Sequence, residues 1–506
     1  MGKSQQDELS RGIAAKRKAI AHTRRAMRFR RGAWYALLAE TFLLALWPAG
    51  ATIALLVGII LLFGRAKTDA DFHFRHLPLD LPIGLFILLS ALSILVSPDR
   101  GFSFYNWYNL VGVYALTYFL AGQTVRDAKQ LRAMLAALGA AAVLVVAYGF
   151  YQYVFGIDIS AMKWVDGNAF PELRKRVFST WENPNILAGY LDVMLALAFG
   201  MFLKAKQKEK RIVLGACMLL LAACLAMTYA RGALLVAAVI FAGYGLLKDW
   251  RILAAFVIVA AIAFAADPLL YERVTSVFTK IDTSSEMRIA FWEATVAMIQ
   301  DHPFLGIGWG AYWMVYPEYD FYLQGAPIKI VHAHNFYLNY MAEIGIPGAL
   351  AFFGYFFGSM WLALRKRLHI VPPVRKPQPY DLAEDGVDGA LKSVQETLAA
   401  KEEKEPWFHM DWNRVRHWDH EEIVNGAMLG LGLAFVSVAL NGLTDDLLFN
   451  IPSSMLLWLM AAMIGAGTRW IEQNSVDGQE EATVEKEVPH DREEGEKTSD
   501  HLQGDD

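Results

Sequence analysis

Apolar runs long enough to cross a bilayer recur along most of this chain and restrict its fold more than any other feature. A membrane-spanning helix needs about 20 apolar residues, because lipid offers backbone polar groups no partner outside the segment. Hydrophobic residues fill 55% of the 506 positions. We therefore predict an all-α, polytopic integral membrane protein. The runs predict about twelve transmembrane helices, near 33–47, 48–64, 80–97, 107–121, 131–155, 184–203, 212–230, 232–248, 252–266, 337–363, 422–442 and 452–469.

Basic residues predict the orientation of these spans. Residues 1–31 contain ten Lys or Arg, and further basic clusters, such as "KAKQKEKR" at 204–211, fall in alternate loops. By the positive-inside rule these loops face the cytoplasm. Both termini are then cytoplasmic in a cytoplasmic (inner) membrane protein, while the loops at 156–183, 267–336 and 443–450 lie outside. The polar N-terminus also argues against a cleavable signal peptide.

The spans and loops divide the chain into seven predicted segments. The last segment is acidic and poor in apolar residues, so we expect it to be disordered. The segments are a basic cytoplasmic N-terminus (1–31), transmembrane helices 1–9 (32–266), an extracytoplasmic loop (267–336), transmembrane helix 10 (337–363), a cytoplasmic insertion (364–421), transmembrane helices 11–12 (422–469) and an acidic cytoplasmic tail (470–506).

Charge and cysteine content exclude several classes of function. The net charge of -4 averages a basic beginning and an acidic end, and nothing in it suggests a nucleic-acid partner. The two cysteines, Cys217 and Cys224, lie in one apolar segment, which is incompatible with a disulfide framework or a thiolate metal site.

Part of the long outer loop predicts an amphipathic helix on the membrane surface. In "SSEMRIAFWEATVAMIQDHPFLGIGWG" (284–310) apolar residues recur at nearly helical spacing, and the pattern ends at Asp301, His302 and Pro303. The helix carries Arg288 near its beginning. Taken alone, this arginine reads as an interfacial side chain that extends its charge into water.

Other arginines on the outer side change that interpretation. Arg231 lies between two spans with almost no loop to solvate it, and "LRKRVF" places Arg174, Lys175 and Arg176 in an outer loop, against the topological bias. Together with Arg288 they predict a cationic site, and the arginine fork suits phosphate groups. The ligand would be a lipid-linked diphosphate or the headgroup of a membrane lipid.

The segment "ENPNIL" predicts the beginning of a helix. Asn183 suits the N-cap, Pro184 the first helical position, and Asn185 follows in the first turn. The open N-terminus could offer backbone donors to an anion, but plain capping explains most of the pattern.

The stretch "VHAHNFYLNYMAEIGIPG" concentrates polar residues where a span begins, and its Gly and Pro predict a break in that span. His332 and His334 could bind a metal with Asp320 or Glu343, but two histidines alone give a weak metal signal. We favour His334, next to Asn335, as a general base for a sugar hydroxyl. A histidine that caps or anchors the helix explains these residues equally well.

Four motifs in this order resemble the O-antigen ligase and O-antigen polymerase superfamily. The resemblance covers roughly residues 180 to 360. The motifs are "FSTWENPNILAGYL", "MTYARGALL", "MRIAFWEATVAMIQDHPFLGIGWG" and "HAHNFYLNYMAEIGIPG".

The resemblance implies a metal-independent, GT-C-like integral membrane glycosyltransferase without a cofactor. Such an enzyme moves a glycan from undecaprenyl diphosphate to an acceptor, which is a glycan, a lipid or a protein, in cell-envelope polysaccharide biosynthesis. Arg231 and Arg288 would bind the donor diphosphate, and His334 would activate or orient the acceptor hydroxyl. This chain departs from the family at Ala230, where a serine is frequent. Further expected substrate-binding residues are Arg174, Arg176, Asn183, Asn185, His332 and Asn335.

The chemistry is consistent with these residues. Diphosphate is a good leaving group, so the protein chiefly stabilises its developing charge, which arginines do without metal. We expect inversion by a single displacement, because the outer loops show no carboxylate pair suited to a double displacement.

Two other functions remain open at this point. A polymerase of the same superfamily would use lipid-linked repeat units as both donor and acceptor. A membrane transporter, the more distant alternative, usually shows related halves and charges along a transmembrane pathway, and here charges within the spans are few.

Overall fold

The computed structural model describes residues 3–156, 176–279, 283–320, 330–365 and 411–474, and within these ranges it contains helices and no strand. The helices are α1 (Lys3–Leu43), α2 (Pro48–Thr68), α3 (Asp80–Ser93), α4 (Arg100–Trp107), α5 (Ala115–Thr124), α6 (Ala128–Phe155), α7 (Pro184–Lys204), α8 (Lys208–Met227), α9 (Arg231–Leu247), α10 (Trp250–Ala266), α11 (Pro268–Thr279), α12 (Thr283–Asp301), α13 (Tyr312–Val315), α14 (Phe336–Arg365), α15 (Trp412–Arg416), α16 (His420–Asn441) and α17 (Ile451–Asn474).

Seven of the described helices are long and apolar enough to cross a membrane, which confirms a polytopic all-α membrane protein. They are α2, α6, α7, α8, α14, α16 and α17; α10 and α11 add an eighth if this pair, bent by 116°, counts as one span. The predicted number of twelve is not confirmed. The predicted span at 107–121, for example, is interrupted by a π-helical turn at Tyr108–Gly112, and the following α5 has only ten residues.

Two predicted soluble segments fall largely outside the described part of the chain. These are the insertion at 364–421, of which residues 366–410 are not described, and the acidic tail, not described from residue 475 onward. At the other end, the basic N-terminus and the first predicted span form one continuous helix, α1.

Helices α7 and α16 pack against each other at the centre of the bundle. A Cβ atom on Gly200 would lie 2.1 Å from the backbone nitrogen of Gly430, so the two backbones are in direct contact there. Such close approach requires glycine, as in other membrane helix pairs. The helices run antiparallel, because Lys206, after the end of α7, donates its backbone N–H to Glu422 at the beginning of α16.

Helix α14 breaks where "EIGIPG" predicts, and the break holds the Gly-rich turn that follows α12. Gly345 has a φ of 72° inside the helix. Around it, Ile307 N–H donates to Ala342 O (2.8 Å), Gly308 N–H to Glu343 O (3.0 Å), and Ile346 N–H to Pro303 O (2.8 Å). The loop that follows α12 is therefore attached to the broken span through backbone hydrogen bonds.

The predicted amphipathic helix exists as α12, and part of its apolar face packs on protein. Phe291, Ala294 and Met298 are buried against Ile307, Tyr312 and neighbouring residues. Ile289 and Val296, which the sequence pattern assigns to the same face, remain exposed. Part of the helix thus packs on the loop that follows it, a partner that spacing alone could not reveal.

The break in α14 predicts an effect of Gly345→Ala. The new Cβ would lie 2.2 Å from the carbonyl oxygen of Phe304. The alanine would also have to adopt the positive φ of this position. We expect a loss of roughly 1–3 kcal/mol in stability, measured by thermal unfolding of the purified protein in detergent. Gly354→Ala is the matched control in the same helix, because its Cβ meets only an ordinary contact at 3.7 Å. Equal stability of the two variants would contradict the role of Gly345.

Candidate functional site

Loops from opposite ends of the sequence meet at one end of the bundle. The segment before α14 docks on the segment that follows α16: Phe336 N–H donates to Gly442 O at 2.9 Å, and Asn335 Nδ2 donates to Leu443 O at 3.2 Å. Asn335 also caps α14 by accepting from Leu338 N–H. These contacts fix the predicted histidines against the loop at 443–450.

Docking brings His334 to Asp445. The Nδ1 atom of His334 lies 3.2 Å from Oδ1 of Asp445. Because a carboxylate only accepts hydrogen bonds, Nδ1 carries the proton, and the lone pair of the neutral ring is on Nε2. The side chain of His334 is 33% exposed, so this imidazole remains accessible from outside the protein. It is a histidine positioned by a carboxylate, the arrangement found in general bases.

The backbone at His334 is unusual. Its φ of 51° lies in the left-handed region, which is rare for residues other than glycine. The conformation allows the N–H of His334 to donate to Nδ1 of buried His332 at 3.2 Å. His332 therefore supports the loop around His334, and its contact with Phe449 ties the two loops further.

Charge around this pair favours an ionised Asp445 and a neutral His332. Burial alone would raise the pKa of Asp445, but the hydrogen bond with His334 and the positive charge of Arg288 hold it well below its usual range. Burial, followed by the charges of His334 and Arg288, lowers the pKa of His332 to about 3 against the opposing charge of Asp445. Arg288 thus lies within electrostatic reach of both groups.

A second group of side chains joins the predicted arginine site to Asp445. Arg176 donates from Nη2 to Asn185 Oδ1 and from Nε to Thr228 O, both at 2.7 Å. Asn185 Nδ2 in turn lies 3.4 Å from Asp445 Oδ2. Asn183 is the N-cap of α7, as predicted, and accepts from the N–H of Asn185 at 2.8 Å. Asn185 therefore connects the arginine group with the histidine pair.

Two more arginines lie close to Arg176. Burial, and then the charges of Arg273 and Arg231, lower the pKa of Arg176 to about 10, while Asp445 opposes this effect. Arg231 begins α9 and Arg273 belongs to α11. The phenol of Tyr229 donates to Asp267 at 2.5 Å and so joins the beginnings of these two helices. A phosphate-sized anion would find several cationic partners here.

The structure brings together most of the predicted site residues. Arg174 and Lys175 lie outside the described residues. Those described at this end of the bundle are Arg176, Asn183, Asn185, Arg231, Arg288, His332, His334 and Asn335.

Sequence reasoning missed Asp445, Asp446 and Arg273. The signal for the first two was present, since two adjacent aspartates lie in a short loop between two apolar helices. Asp445 and Asp446 are a pair of neighbouring carboxylates, which bears on the expectation that no pair is suited to a double displacement. Asp445 and Asp446 are engaged locally, however: Asp446 donates its N–H to Asp445 Oδ1 and accepts from Leu448 N–H.

A metal site is a further possibility for the residues around His334. The potential ligand atoms of His332, His334 and Asp445 lie within 4.8 Å of one another. Asp320 and Glu343, the partners considered from sequence, do not belong to this group: Glu343 accepts from Gly310 N–H at 2.9 Å. Nδ1 of His332 already accepts a backbone hydrogen bond. A cation here would also be repelled by nearby Arg288.

Comparison with known families agrees with the motifs that the site contains. Residues 216–353 match the model of the family described as O-antigen ligase. This segment is similar to O-antigen ligases. The resemblance predicted from the sequence is thereby confirmed. No curated protein matches the chain.

The O-antigen ligase segment supplies only part of the site. It includes Arg231, Arg273, Arg288 and His334, whereas Asp445 lies beyond its end. Arg176 and Asn185 precede its beginning. The site is therefore completed by helices on both sides of the matched segment.

The environment of Asp446 predicts a pH dependence of stability. Burial, and then the charge of Asp445, raise its pKa to about 7, against the hydrogen bond from Leu448. In the unfolded chain an aspartate ionises near pH 4. Between about pH 4 and 7 the unfolded state therefore releases a proton that the folded state retains, and Asp446 lowers stability as the pH rises.

Asp446→Asn removes this titration and keeps an oxygen that can accept from Leu448. The thermal stability of the variant relative to wild type should increase from about pH 4 to 7 and stay constant above pH 7. Thermal unfolding in detergent at several pH values measures the difference. Asp301→Asn, which removes an exposed carboxylate on the same side, should follow wild type. A constant difference between Asp446→Asn and wild type would contradict the prediction.

Proposed function

We propose that this protein is an O-antigen ligase-like glycosyltransferase. It transfers a glycan from undecaprenyl diphosphate to the hydroxyl of an acceptor at the outer face of the cytoplasmic membrane, in the biosynthesis of cell-envelope polysaccharide or glycoconjugates. The observation that supports this most directly is the His334–Asp445 pair beside a group of arginines, built partly from the O-antigen ligase segment.

His334 acts as the general base in this proposal. Asp445 holds the proton on Nδ1 and orients the ring, so Nε2 can take the proton of the acceptor hydroxyl. The oxygen of that hydroxyl forms a bond to the anomeric carbon as the bond to the diphosphate breaks. The imidazolium that forms is stabilised by the carboxylate of Asp445, 3.2 Å away.

The arginines act on the leaving group. Breaking the glycosyl bond places additional negative charge on the diphosphate, and fixed cations stabilise that charge in a site of low dielectric. Arg288 lies near the histidine pair, while Arg176, Arg231 and Arg273 lie together beyond Asn185. The two groups suit a ligand that carries two phosphates, with its sugar close to His334.

The proposal includes a metal-independent reaction that inverts the anomeric carbon. Arginine charge replaces the charge of a metal at the leaving group, and the two aspartates of the outer loop have other partners. Asp445 bonds to His334, and Asp446 accepts from the backbone of Leu448, so neither is free to act as the nucleophile of a double displacement.

The remaining elements of the proposal concern architecture. A GT-C-like arrangement of about twelve spans, with both termini in the cytoplasm and the site outside, agrees with the positive-inside pattern. Helix α6 has 28 residues and is therefore about 40 Å long. The candidate site lies near its last turn, so its first turn lies at the other end of the bundle.

The pairing of His334 with Asp445 predicts the effect of Asp445→Asn. The amide keeps the shape of the side chain and loses the charge that orients and stabilises the imidazolium, so kcat should fall roughly 10²- to 10⁴-fold. His334→Ala should abolish transfer, and Arg288→Lys should weaken it because lysine lacks the planar fork. Transfer of glycan from purified undecaprenyl-diphosphate glycan to acceptor, with the variants in detergent, measures these effects.

Asp301→Asn is the matched control for charge loss on the same side and should retain wild-type activity. Normal transfer by both His334→Ala and Asp445→Asn would overturn the assignment of the base. The assay should run with and without a chelator. Loss of activity with chelator, restored by added metal, would contradict the metal-independent mechanism and point to His332, His334 and Asp445 as ligands.

A polymerase remains the second candidate, because the superfamily identified from the motifs includes both activities. The two differ in the acceptor, which is a second lipid-linked repeat unit in the polymerase. Gel analysis of envelope glycans after deletion of the gene distinguishes them. Unattached long chains indicate a ligase, whereas single repeat units indicate a polymerase.

A further inference from the structure

A second group of arginines lies at the end of the bundle opposite His334. Arg126 precedes α6, and Gln152, near the other end of that helix, accepts from Ser179 N–H beside the candidate site. Helix α6 is 28 residues long, so the two groups are separated by about 40 Å, close to the full thickness of a bilayer. The proposed donor site therefore does not include Arg126.

The charges around Arg126 are close enough to affect one another. Burial, and then the charges of Arg65, Arg75 and Arg30, lower the pKa of Arg126 to about 10, while Asp69 opposes the effect. These residues come from three places in the sequence. Arg30 belongs to α1 and Arg65 to α2, while Arg75 follows α2.

Arg469, from α17, completes the group. Burial, and then the charge of Arg469, lower the pKa of Arg75. Arg75 Nη1 also donates to Val125 O and Arg469 Nε to His76 O, both at 2.8 Å, so their positions are fixed by backbone contacts. We refer to Arg30, Arg65, Arg75, Arg126 and Arg469 as the arginine cluster.

The members of the arginine cluster differ in exposure: Arg65 is buried, Arg75, Arg126 and Arg469 are half-buried, and Arg30 is exposed. Arg65 is 7% exposed and lies over the ring of Phe72. The Nε of Arg126 is buried, and no described residue accepts a hydrogen bond from it. Asp69 pairs with Arg65 at 3.2 Å. A buried donor without an acceptor in the described part of the chain, among five neighbouring guanidinium groups, indicates a site for an anion.

Exposed aromatic rings lie next to the arginine cluster. Phe63 in α2 and Phe74, next to Arg75, are both about half exposed. Each packs against Phe119 of α5, with ring centroids 6.5 Å and 5.7 Å apart. We refer to Phe63, Phe74 and Phe119 as the phenylalanine strip. An apolar surface beside an anion site suits a ligand with both a phosphate and hydrocarbon chains.

We propose that the arginine cluster binds the phosphate group of an anionic phospholipid whose acyl chains lie on the phenylalanine strip. The lipid belongs to the leaflet at the end of the bundle opposite His334. Bound there, it connects α1, α2 and α17 through one headgroup. The site is independent of the glycan donor, and its occupancy does not require the proposed transfer reaction.

Titration of the purified full-length protein with phosphatidylglycerol, followed by native mass spectrometry, tests the proposal. Each basic residue near a lipid surface changes affinity by about fivefold, so Arg75→Gln with Arg126→Gln should weaken binding roughly 25-fold. Arg251→Gln is the matched control, since it removes an exposed arginine from the beginning of α10 at the same end of the bundle. Equal affinity of the double variant and wild type would overturn the proposal.

Two further ligands separate a lipid site from a phosphate site. Phosphatidylcholine, which has similar chains and no net charge, should bind more weakly to wild type than phosphatidylglycerol does. Inorganic phosphate at the same concentration should not displace phosphatidylglycerol. Displacement by inorganic phosphate, or equal binding of both lipids, would overturn the assignment to an anionic lipid.

Phe74→Ser provides the test if the double variant is not recovered from membranes. It leaves every arginine in place and makes the phenylalanine strip polar, so phosphatidylglycerol should bind about fivefold more weakly. Unchanged affinity for this lipid would contradict the role of the strip and with it the proposed lipid site.

Discussion

The backbone contact between α7 and α16 determines where the candidate site can form. At Gly200 and Gly430 there is no room for a side chain, so the distance and register of these antiparallel helices are fixed. Asn185 at the beginning of α7 and Asp445 just after α16 consequently meet at the same end of the bundle. The histidine loop and the arginines of α9 and α11 are arranged around this pair of ends. The contact between these two glycines thus determines the relative positions of site residues that are far apart in sequence.

Buried polar contacts reinforce that register at both ends. At one end, Lys210 Nζ donates to Glu422 Oε2 at 2.6 Å, and both side chains are almost completely buried. Toward the other end, Asn441 Nδ2 donates to Asp192 Oδ2 at 2.9 Å. A buried charge or amide that loses its partner is strongly destabilising, so sliding α16 along α7 would be costly. Such contacts contribute more to a unique arrangement than to net stability.

The sequence contained the local signals of this protein and few of the distant ones. The apolar runs predicted the fold class, "ENPNIL" predicted the beginning of α7, and "EIGIPG" predicted the break in α14, because each signal acts within a few residues. The partner of His334 could not be found in this way, since Asp445 is 111 residues away and meets it only through the packing of α14 on α16. Arg273 was missed for the same reason. The pattern of α12 predicted its apolar face but not the loop residues that bury part of it, because periodicity does not identify what covers a face.

The left-handed backbone at His334 places two opposite demands on one position. A residue other than glycine in that conformation costs roughly 1–3 kcal/mol, so local stability would favour glycine. Under the proposed mechanism, proton transfer requires an imidazole there. The folding energy of the surrounding helices therefore sustains a locally unfavourable conformation, and a sequence selected for stability alone would lose the base first.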